Sequence, residues 1–417
     1  MRFIYTFVIR FYNLLIKIGS VRLPKAKQWV QGRQKWREKL TSALQENTNP
    51  VVWIHCSSLG EFEQGRPVIE EIKAKQPNVF ILLTFFSPSG YEIRKNYPQA
   101  DFISYLPLDT PKNAKDFLRI ANPSVAIFVK YEFWYNYLNQ LRQNKIPFWL
   151  ISGIFRKKQH FFAFWGGWFR KHLHFFDHLY VQNQESGDLL KSIHIQHYTV
   201  AGDTRFDRVK QIALQAKVIP EAERFVANRF VFVAGSSWPA DEDLIATYIN
   251  QTTSKECFII APHEIHKEHI DQIVSKLEKP HILFSQIDDT TNLTLFDVLI
   301  VDNIGMLSAL YRYANVVMIG GGFGKGIHNI LEPAVYGVPI LIGPKFQKFR
   351  EAVDLIERNT VFPVNNYPEF ETTLRSLRAD SEKLKHINEL QNAYIEQMSG
   401  STKVIVERLT SILSRSI

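Results

Sequence analysis

The 417-residue chain predicts an α/β protein of two Rossmann-like doubly wound domains preceded by a membrane-associated helix. Three observations predict it. From Val51 onward, short β-branched runs alternate with amphipathic stretches, as strands buried on both faces alternate with their crossover helices. The alternation pauses over residues 207–225 and then resumes, giving two series without sequence similarity. The length also exceeds what one hydrophobic core fills.

The elements follow in order. Residues Phe3 to Ile18 are apolar apart from Thr6, Arg10, Asn13 and Lys17, four positions that share one helical face. A spanning helix needs ~20 apolar residues and would bury Arg10 near mid-membrane. A helix lying in the interface is therefore preferred over a short span with Arg10 reaching outward. Its flank of Arg22, Lys25, Lys27, Arg33, Lys35, Arg37 and Lys39 would lie near anionic headgroups on the cytoplasmic side. The other reading is a helix packed on the protein's own body. No small-residue cleavage site follows.

Candidate strands of the first series are Val51–Cys56, Phe80–Phe85, Phe102–Leu106, Val125–Val129, Phe148–Ser152, Leu179–Val181 and Tyr198–Ala201. Helical stretches between them include Gly65–Lys75, Pro111–Ile120, Glu132–Arg142 and Glu185–Ile193. The second series runs Phe230–Ala234, Cys257–Ala261, Ile282–Phe284, Val298–Val301, Val316–Ile319 and Ile340–Ile342, with helices at Asp241–Asn250, Lys267–Leu277, Gly305–Ala314 and Asn329–Tyr336. The chain thus divides into 1–40, 41–210 and 211–417, the two domains facing across a cleft. The polar helical tail from Ser381 is counted with the second domain, although its pattern suits either.

A hydrophobic content of 45% and a charged content of 22% exclude a disordered chain. The formal charge of +9 calls for anionic partners. The basic residues are scattered without the run of a nucleic-acid arm, and no nucleic-acid partner is expected. Cys56 and Cys257 have neither metal nor redox spacing.

Ligands of open parallel sheets bind beyond the carboxyl ends of the strands, so the residues just after each strand carry the chemistry. After Val51–Cys56 stands Ser57-Ser58-Leu59-Gly60-Glu61. Glu61 can take a proton from an attacking hydroxyl, or Ser58 and Glu61 can form a capping box. The helix terminus would keep that carboxylate ionised and make it a weaker base. After Val125–Val129 stands Glu132, in place as a second cleft acid or as a first-turn complement to the helix dipole. Arg205, after Tyr198–Ala201, suits a carboxylate or phosphate, and equally a solvated surface.

In the second domain, Val316–Ile319 leads into Gly320-Gly321-Gly322-Phe323-Gly324-Lys325-Gly326, then His328-Asn329-Ile330-Leu331-Glu332-Pro333. So many glycines between a strand and a helix suggest backbone N–H groups approaching a phosphate. Lys-Ser/Thr does not follow, so this is no P-loop, and the spacing does not suit a dinucleotide. Glu332 is placed to accept from a ribose diol. Pro262-His263-Glu264, Gly305-Met306-Leu307 and Ser236-Ser237 are further post-strand turns, each also explicable as ordinary turn chemistry. His263 and His266 lack the His-Glu-x-x-His arrangement, and no metal is expected.

These residues resemble the Kdo (3-deoxy-D-manno-octulosonic acid) transferase family over nearly the whole chain. The resemblance rests on Trp53 to Glu61, Glu132-Phe133-Trp134, Gly202 to Asp207, Ala234 to Ser237 and His328 to Pro333. It implies a GT-B glycosyltransferase fold and an inverting, metal- and cofactor-free transfer from CMP-Kdo to lipid A precursor (lipid IVA). The reaction would belong to lipopolysaccharide biosynthesis at the cytoplasmic face of the inner membrane. The implied partners are the CMP-sugar, a phosphorylated lipid acceptor and an anionic membrane surface. Glu61 resembles the catalytic base and Glu132 a transition-state support. Arg205 stands where the family usually has lysine. CMP contacts would fall on Pro262, His263, Gly305, Met306, Leu307, Asn329, Ile330, Leu331 and Glu332. His263 replaces a usual arginine, Met306 a usual acid, and Tyr135 a usual proline. The competing readings are a UDP-sugar epimerase on the same scaffold and a non-catalytic membrane-bound binder. Residues His160 to Phe176 crowd aromatic rings with Arg170, Lys171, His172 and His174, read either as a membrane or acyl-chain contact or as core.

Overall fold

The computed structural model describes residues 1–253 and 255–413. It consists of two compact units: residues 1–207 together with the stretch from 398 onward, and residues 208–397. Each unit is built on one parallel seven-stranded sheet.

In the first unit the strands are β1 (Val51–Cys56), β2 (Phe80–Phe85), β3 (Phe102–Tyr105), β4 (Val125–Val129), β5 (Phe148–Gly153), β6 (His178–Val181) and β7 (Tyr198–Val200), ordered β3-β2-β1-β4-β5-β6-β7. Strand order reverses between β1 and β4, so the chain opens a crevice beyond the carboxyl ends of these two strands. Side chains of β1 alternate between two buried clusters. Val51 and Trp53 join one face, and Val52, Ile54 and Cys56 the other. Coverage on both faces is why these strands read as continuous apolar runs.

The second unit has β8 (Phe230–Ser237), β9 (Glu256–Pro262), β10 (His281–Leu283), β11 (Val298–Ile300), β12 (Val316–Ile319), β13 (Ile340–Ile342) and β14 (Val361–Pro363), ordered β10-β11-β9-β8-β12-β13-β14. The reversal lies between β8 and β12. β14 was not expected from the sequence: it is three residues long and closes on a proline, which an edge strand tolerates.

Two expectations about chain division are corrected. The tail does not stay with the second unit throughout. Helix Ser401–Leu413 returns to the first, where Ile405, Val406, Leu409 and Leu413 complete the cluster behind Val52 and Ile54. Asp207 holds its start by accepting from the amides of Gly400 (2.5 Å) and Thr402 (2.7 Å). Nor do residues 1–40 stand apart. Trp29 and Leu40 are buried in the first unit, and within the basic flank Arg33 is half-buried and turned to backbone carbonyls rather than headgroups. Its guanidinium donates to the carbonyls of Trp29, Phe86 and Leu106 at 2.7–3.0 Å. Burial lowers its pKa to about 9. Arg37 pairs with Asp116 at 2.7 Å.

Helix Arg2–Gly19 packs on the unit through Arg2, Tyr5 and Thr6, while Arg10 and Lys17 of its polar face stay exposed. Thr6 is buried, Arg2 Nε donates to Asn136 (3.0 Å), and the Tyr5 hydroxyl donates to Asp109 (2.7 Å). Asp109 also accepts from the Asn136 and Tyr137 amides, both 3.1 Å. Burial pushes its pKa up to about 6 against those donors. The apolar face points outward: Phe3 is 85% exposed, and Phe7, Phe11, Leu14, Leu15 and Ile18 are exposed with it. Among the described residues no helix is long and apolar enough to cross a membrane. The ring-rich segment divides. Phe161, Leu173 and Phe176 are core, while Phe164 (94%) and Trp165 are exposed.

Candidate active site

β1 delivers the chain to Ser57-Ser58 at the carboxyl edge of the first sheet, beside the β1/β4 crevice, and helix Leu59–Lys75 starts there. Glu61 sits in its first turn. Its carboxylate accepts from the Ser58 amide at 2.8 Å and from the Ser58 hydroxyl at 3.1 Å. The capping box therefore exists, and the same carboxylate is the one at the strand end. Its ionisation is opposite to the expectation from the helix terminus. The pKa is raised to about 7, by burial first and by the charge of Glu132 second, against the Ser58 bonds and Lys130. Desolvation outweighs the helix terminus here. A carboxylate of this kind is poised as a base near neutrality.

Glu132 follows β4 but precedes helix Tyr135–Gln143, so it does not complement that helix dipole. The turn reaches it through Lys130, held at φ 68°. Buried, Glu132 accepts from the Trp134 indole (2.5 Å) and meets His55 Nε2 (3.1 Å). His55 is fully buried on β1, its Nδ1 2.9 Å from the Thr84 hydroxyl, which accepts from the Trp53 indole at 2.8 Å. The Trp134 indole also lies 2.9 Å from His55 Nε2, so contacts running from Trp53 through Thr84 and His55 to Glu132 and Trp134 tie the two strand ends together. His55, Thr84 and Trp134 were not singled out individually from the sequence. The available signal was a histidine in the middle of an otherwise apolar strand. Tyr135 packs edge-on against Tyr5 at 5.0 Å and lies 4.6 Å from Trp168, so it seats the N-terminal helix.

Arg205 opens helix Thr204–Gln215 and is tied to Asp203 through Nε (3.0 Å) and Nη2 (2.9 Å). Although burial alone would raise it, the Asp203 carboxyl is held below its ordinary range, chiefly by the Arg205 charge. Gln64, on the helix that carries Glu61, also donates to Asp203 (2.9 Å). Arg205 thus joins the first-unit cluster as a half-buried, carboxylate-bound cation.

In the second unit the loops after β8 and β12 meet at the strand-order reversal. In the glycine run several amides already have acceptors within the unit. Amides of Gly320, Gly321, Gly324, Gly326 and His328 bond to Gly235, Asp241, Gly321, Gly321 and Gly320 respectively. A Cβ at Gly320 would lie 2.3 Å from the Ser236 carbonyl oxygen, and one at Gly322 would lie 2.6 Å from Gly343. These glycines are explained by backbone packing. The following helix is one turn, Leu331–Ala334, rather than 329–336, and the expected helix at 305–314 is Leu307–Leu310 continued by a 3-10 turn.

The structure brings His263 together with two rings not selected beforehand. His263 stacks on Trp238 (4.8 Å) and on His328 (4.3 Å), and the Trp238 indole donates to His328 Nε2 at 2.9 Å. Burial first, and then His263, lower the His328 pKa to about 4, leaving a neutral acceptor. Beneath them buried Asp241 accepts from the amides of Trp238 and Gly321, both 2.9 Å, and burial raises its pKa to about 6. Pro262 ends β9 just before His263. Asn329 donates to Glu332 at 3.0 Å, while its side-chain oxygen accepts from the Leu331 amide. Ile330 and Leu331 are buried beneath that turn. Gly305 is exposed at φ 97° beside Met306 and Leu307, after β11. Among the described residues no cluster of three His, Cys, Asp or Glu side chains suits a metal ion.

Comparison with known proteins adds to this geometry. Residues 34–208 match the family model described as 3-deoxy-D-manno-octulosonic-acid transferase (kdotransferase). A 3-deoxy-D-manno-octulosonic acid transferase of Aquifex aeolicus is 27% identical over 371 residues, covering 85% of this chain and 94% of its own. One from Rickettsia prowazekii is 27% identical, covering 87% and 79%. Among solved structures, UDP-GlcNAc 2-epimerase of Neisseria meningitidis superposes with a TM-score of 0.61 at 15% identity, covering 87% of this chain and all of that one. That last likeness is one of fold.

Proposed function

The chain belongs to the 3-deoxy-D-manno-octulosonic acid transferase family, and on that premise we propose that it transfers Kdo from CMP-Kdo to lipid A precursor in lipopolysaccharide biosynthesis. In this reading the reaction inverts the anomeric centre, needs no metal, and takes place at the cytoplasmic face of the inner membrane. The observation that carries it is Glu61, a half-buried carboxylate at the β1/β4 reversal with a pKa of about 7.

Ionised Glu61 takes the proton of an acceptor hydroxyl as its oxygen attacks the anomeric carbon, and the bond to CMP breaks. The phosphate leaves with its own negative charge, so the main demand falls on the attacking side. Glu132, oriented by His55 and Trp134, supplies a fixed negative charge suited to a transition state that gains positive character. Arg205 supplies a cation whose orientation Asp203 holds. In the second unit His263, Asn329 and Glu332, with the backbone around Gly305 to Leu307, are assigned to the cytidine nucleotide. The stacked Trp238 and His328 rings support His263. An imidazole lacks the planar fork of donors with which the arginine usual at that place grips a phosphate.

The exposed apolar face of helix Arg2–Gly19 supports a helix lying in the surface of an anionic membrane, where the lipid acceptor resides. A lipid-directed face of this kind favours the transferase over an epimerase of soluble nucleotide sugars. Transfer from labelled CMP-Kdo to lipid IVA tests the proposal. Glu61→Ala should abolish turnover and leave CMP binding intact, whereas retained turnover would remove Glu61 from the role of base.

A further inference from the structure

A cluster of cationic side chains lines a cavity in the first unit, on the side of the sheet away from Glu61. Helix Tyr135–Gln143 leaves the carboxyl edge of the sheet after β4 and returns to the amino end of β5, carrying Arg142 to that far side. Helix Gln184–Ser192 likewise returns from β6 to the amino end of β7 and brings His194. Between them helix Gly167–Leu173 presents Arg170 and Lys171, with His174 and Phe175 just beyond. These residues line a cavity of about 790 Å³.

The charge there is one-sided. Among the described residues, Arg142, Arg170 and Lys171 have no acidic partner. Arg170 is aimed by the carbonyls of Phe161 (3.0 Å) and Ala163 (2.7 Å), and Arg142 lies over the Phe175 ring at 4.2 Å. Three cations lining one cavity repel one another, and an anion among them relieves that repulsion. His194 adds a separate pointer. It occupies the left-handed position (φ 63°) just past a helix end, where glycine is cheapest, yet the residue there is a histidine that lines the cavity. The lining rings Phe162 and Phe175 give the same space an apolar wall.

We propose that this cavity binds a phosphate-bearing ligand carrying at least two negative charges, through Arg142, Arg170, Lys171 and the flanking histidines. The phosphate belongs either to a soluble molecule or to a lipid headgroup, and the two sources separate by experiment. The full-length protein in detergent, its nucleotide site saturated with CMP, is titrated calorimetrically with inorganic pyrophosphate. Arg142→Gln combined with Lys171→Gln changes two exposed side chains and should weaken binding at least tenfold. Kdo transfer and thermal unfolding should stay at wild-type values. His194→Asn retains the left-handed backbone and should weaken binding severalfold. Vesicles of phosphatidylcholine with and without phosphatidic acid then locate the source. A preference for phosphatidic acid that disappears in the double variant assigns a lipid headgroup, and an unchanged preference beside weakened pyrophosphate binding assigns a soluble phosphate. Pyrophosphate that fails to bind the wild-type protein, or binds the double variant equally well, overturns the site.

Discussion

Lowering the pH of a transfer assay from 8 to 5 should cost far more rate than an ordinary carboxylate base would lose. Glu61 titrates at about 7, so about half of the molecules carry it ionised at neutrality, about a tenth at pH 6 and about a hundredth at pH 5. An unperturbed glutamate near 4.5 would lose less than roughly half its ionised fraction over the same interval. Measured as kcat/KM with limiting CMP-Kdo and lipid IVA, the profile should climb with unit slope from pH 5 and bend near 7. Glu132→Gln removes the neighbouring charge that helps raise Glu61. It should therefore move the bend to lower pH even as it lowers the plateau. A profile already flat between pH 5.5 and 8, or a bend that stays put in Glu132→Gln, would refute the reasoning.

The same shift has a stability counterpart. A folded pKa raised above its unfolded value contributes stability that is complete below about 4.5 and is lost as pH rises through about 7. Glu61→Gln, which cannot ionise, should stabilise the first unit at pH 8 by about 3 kcal/mol, seen as a rise in Tm that vanishes near pH 4, while transfer is lost. Phe7→Ser with Phe11→Ser should weaken partitioning to anionic vesicles more than about a hundredfold. Each ring offers on the order of 100 Å² to lipid at ~25 cal/mol per Å². Unfolding should stay unchanged because both rings face outward, and undiminished partitioning would argue against an interfacial helix. Gly320→Ala drives a methyl against the Ser236 backbone and should cost about 3 kcal/mol. Gly324→Ala, whose Cβ meets only an oxygen at 3.5 Å, should cost far less. Equal losses from the two would contradict the packing account.

What the sequence made legible follows the range of the forces involved. Val51–Cys56 and Val125–Val129 were readable because a strand buried on both faces must be apolar along its whole length. With them came the positions of Glu61 and Glu132 just beyond the strand ends. Their electrostatics were not readable. The base strength of Glu61 depends on burial and on a neighbour brought in by the β1/β4 pairing, so helix-terminus reasoning pointed the wrong way. The packing role of Gly320 and Gly322 was unreadable for a related reason, since their neighbours at Ser236 and Gly343 come from other strand ends. Trp238, Asp241 and His328 converge only when β8 and β12 pair. The inward turn of Thr6 and Tyr5 depends on Asp109, more than a hundred positions away.

The return of Ser401–Leu413 to the first unit has a consequence for biogenesis. The half of the molecule that carries Glu61 cannot finish burying the face of Val52 and Ile54 until the ribosome has passed residue 413. Early-emerging strands must wait, partly uncovered, through synthesis of every residue from 208 to 397. A premature stop or a proteolytic clip near residue 398 would therefore damage the unit that is encoded first.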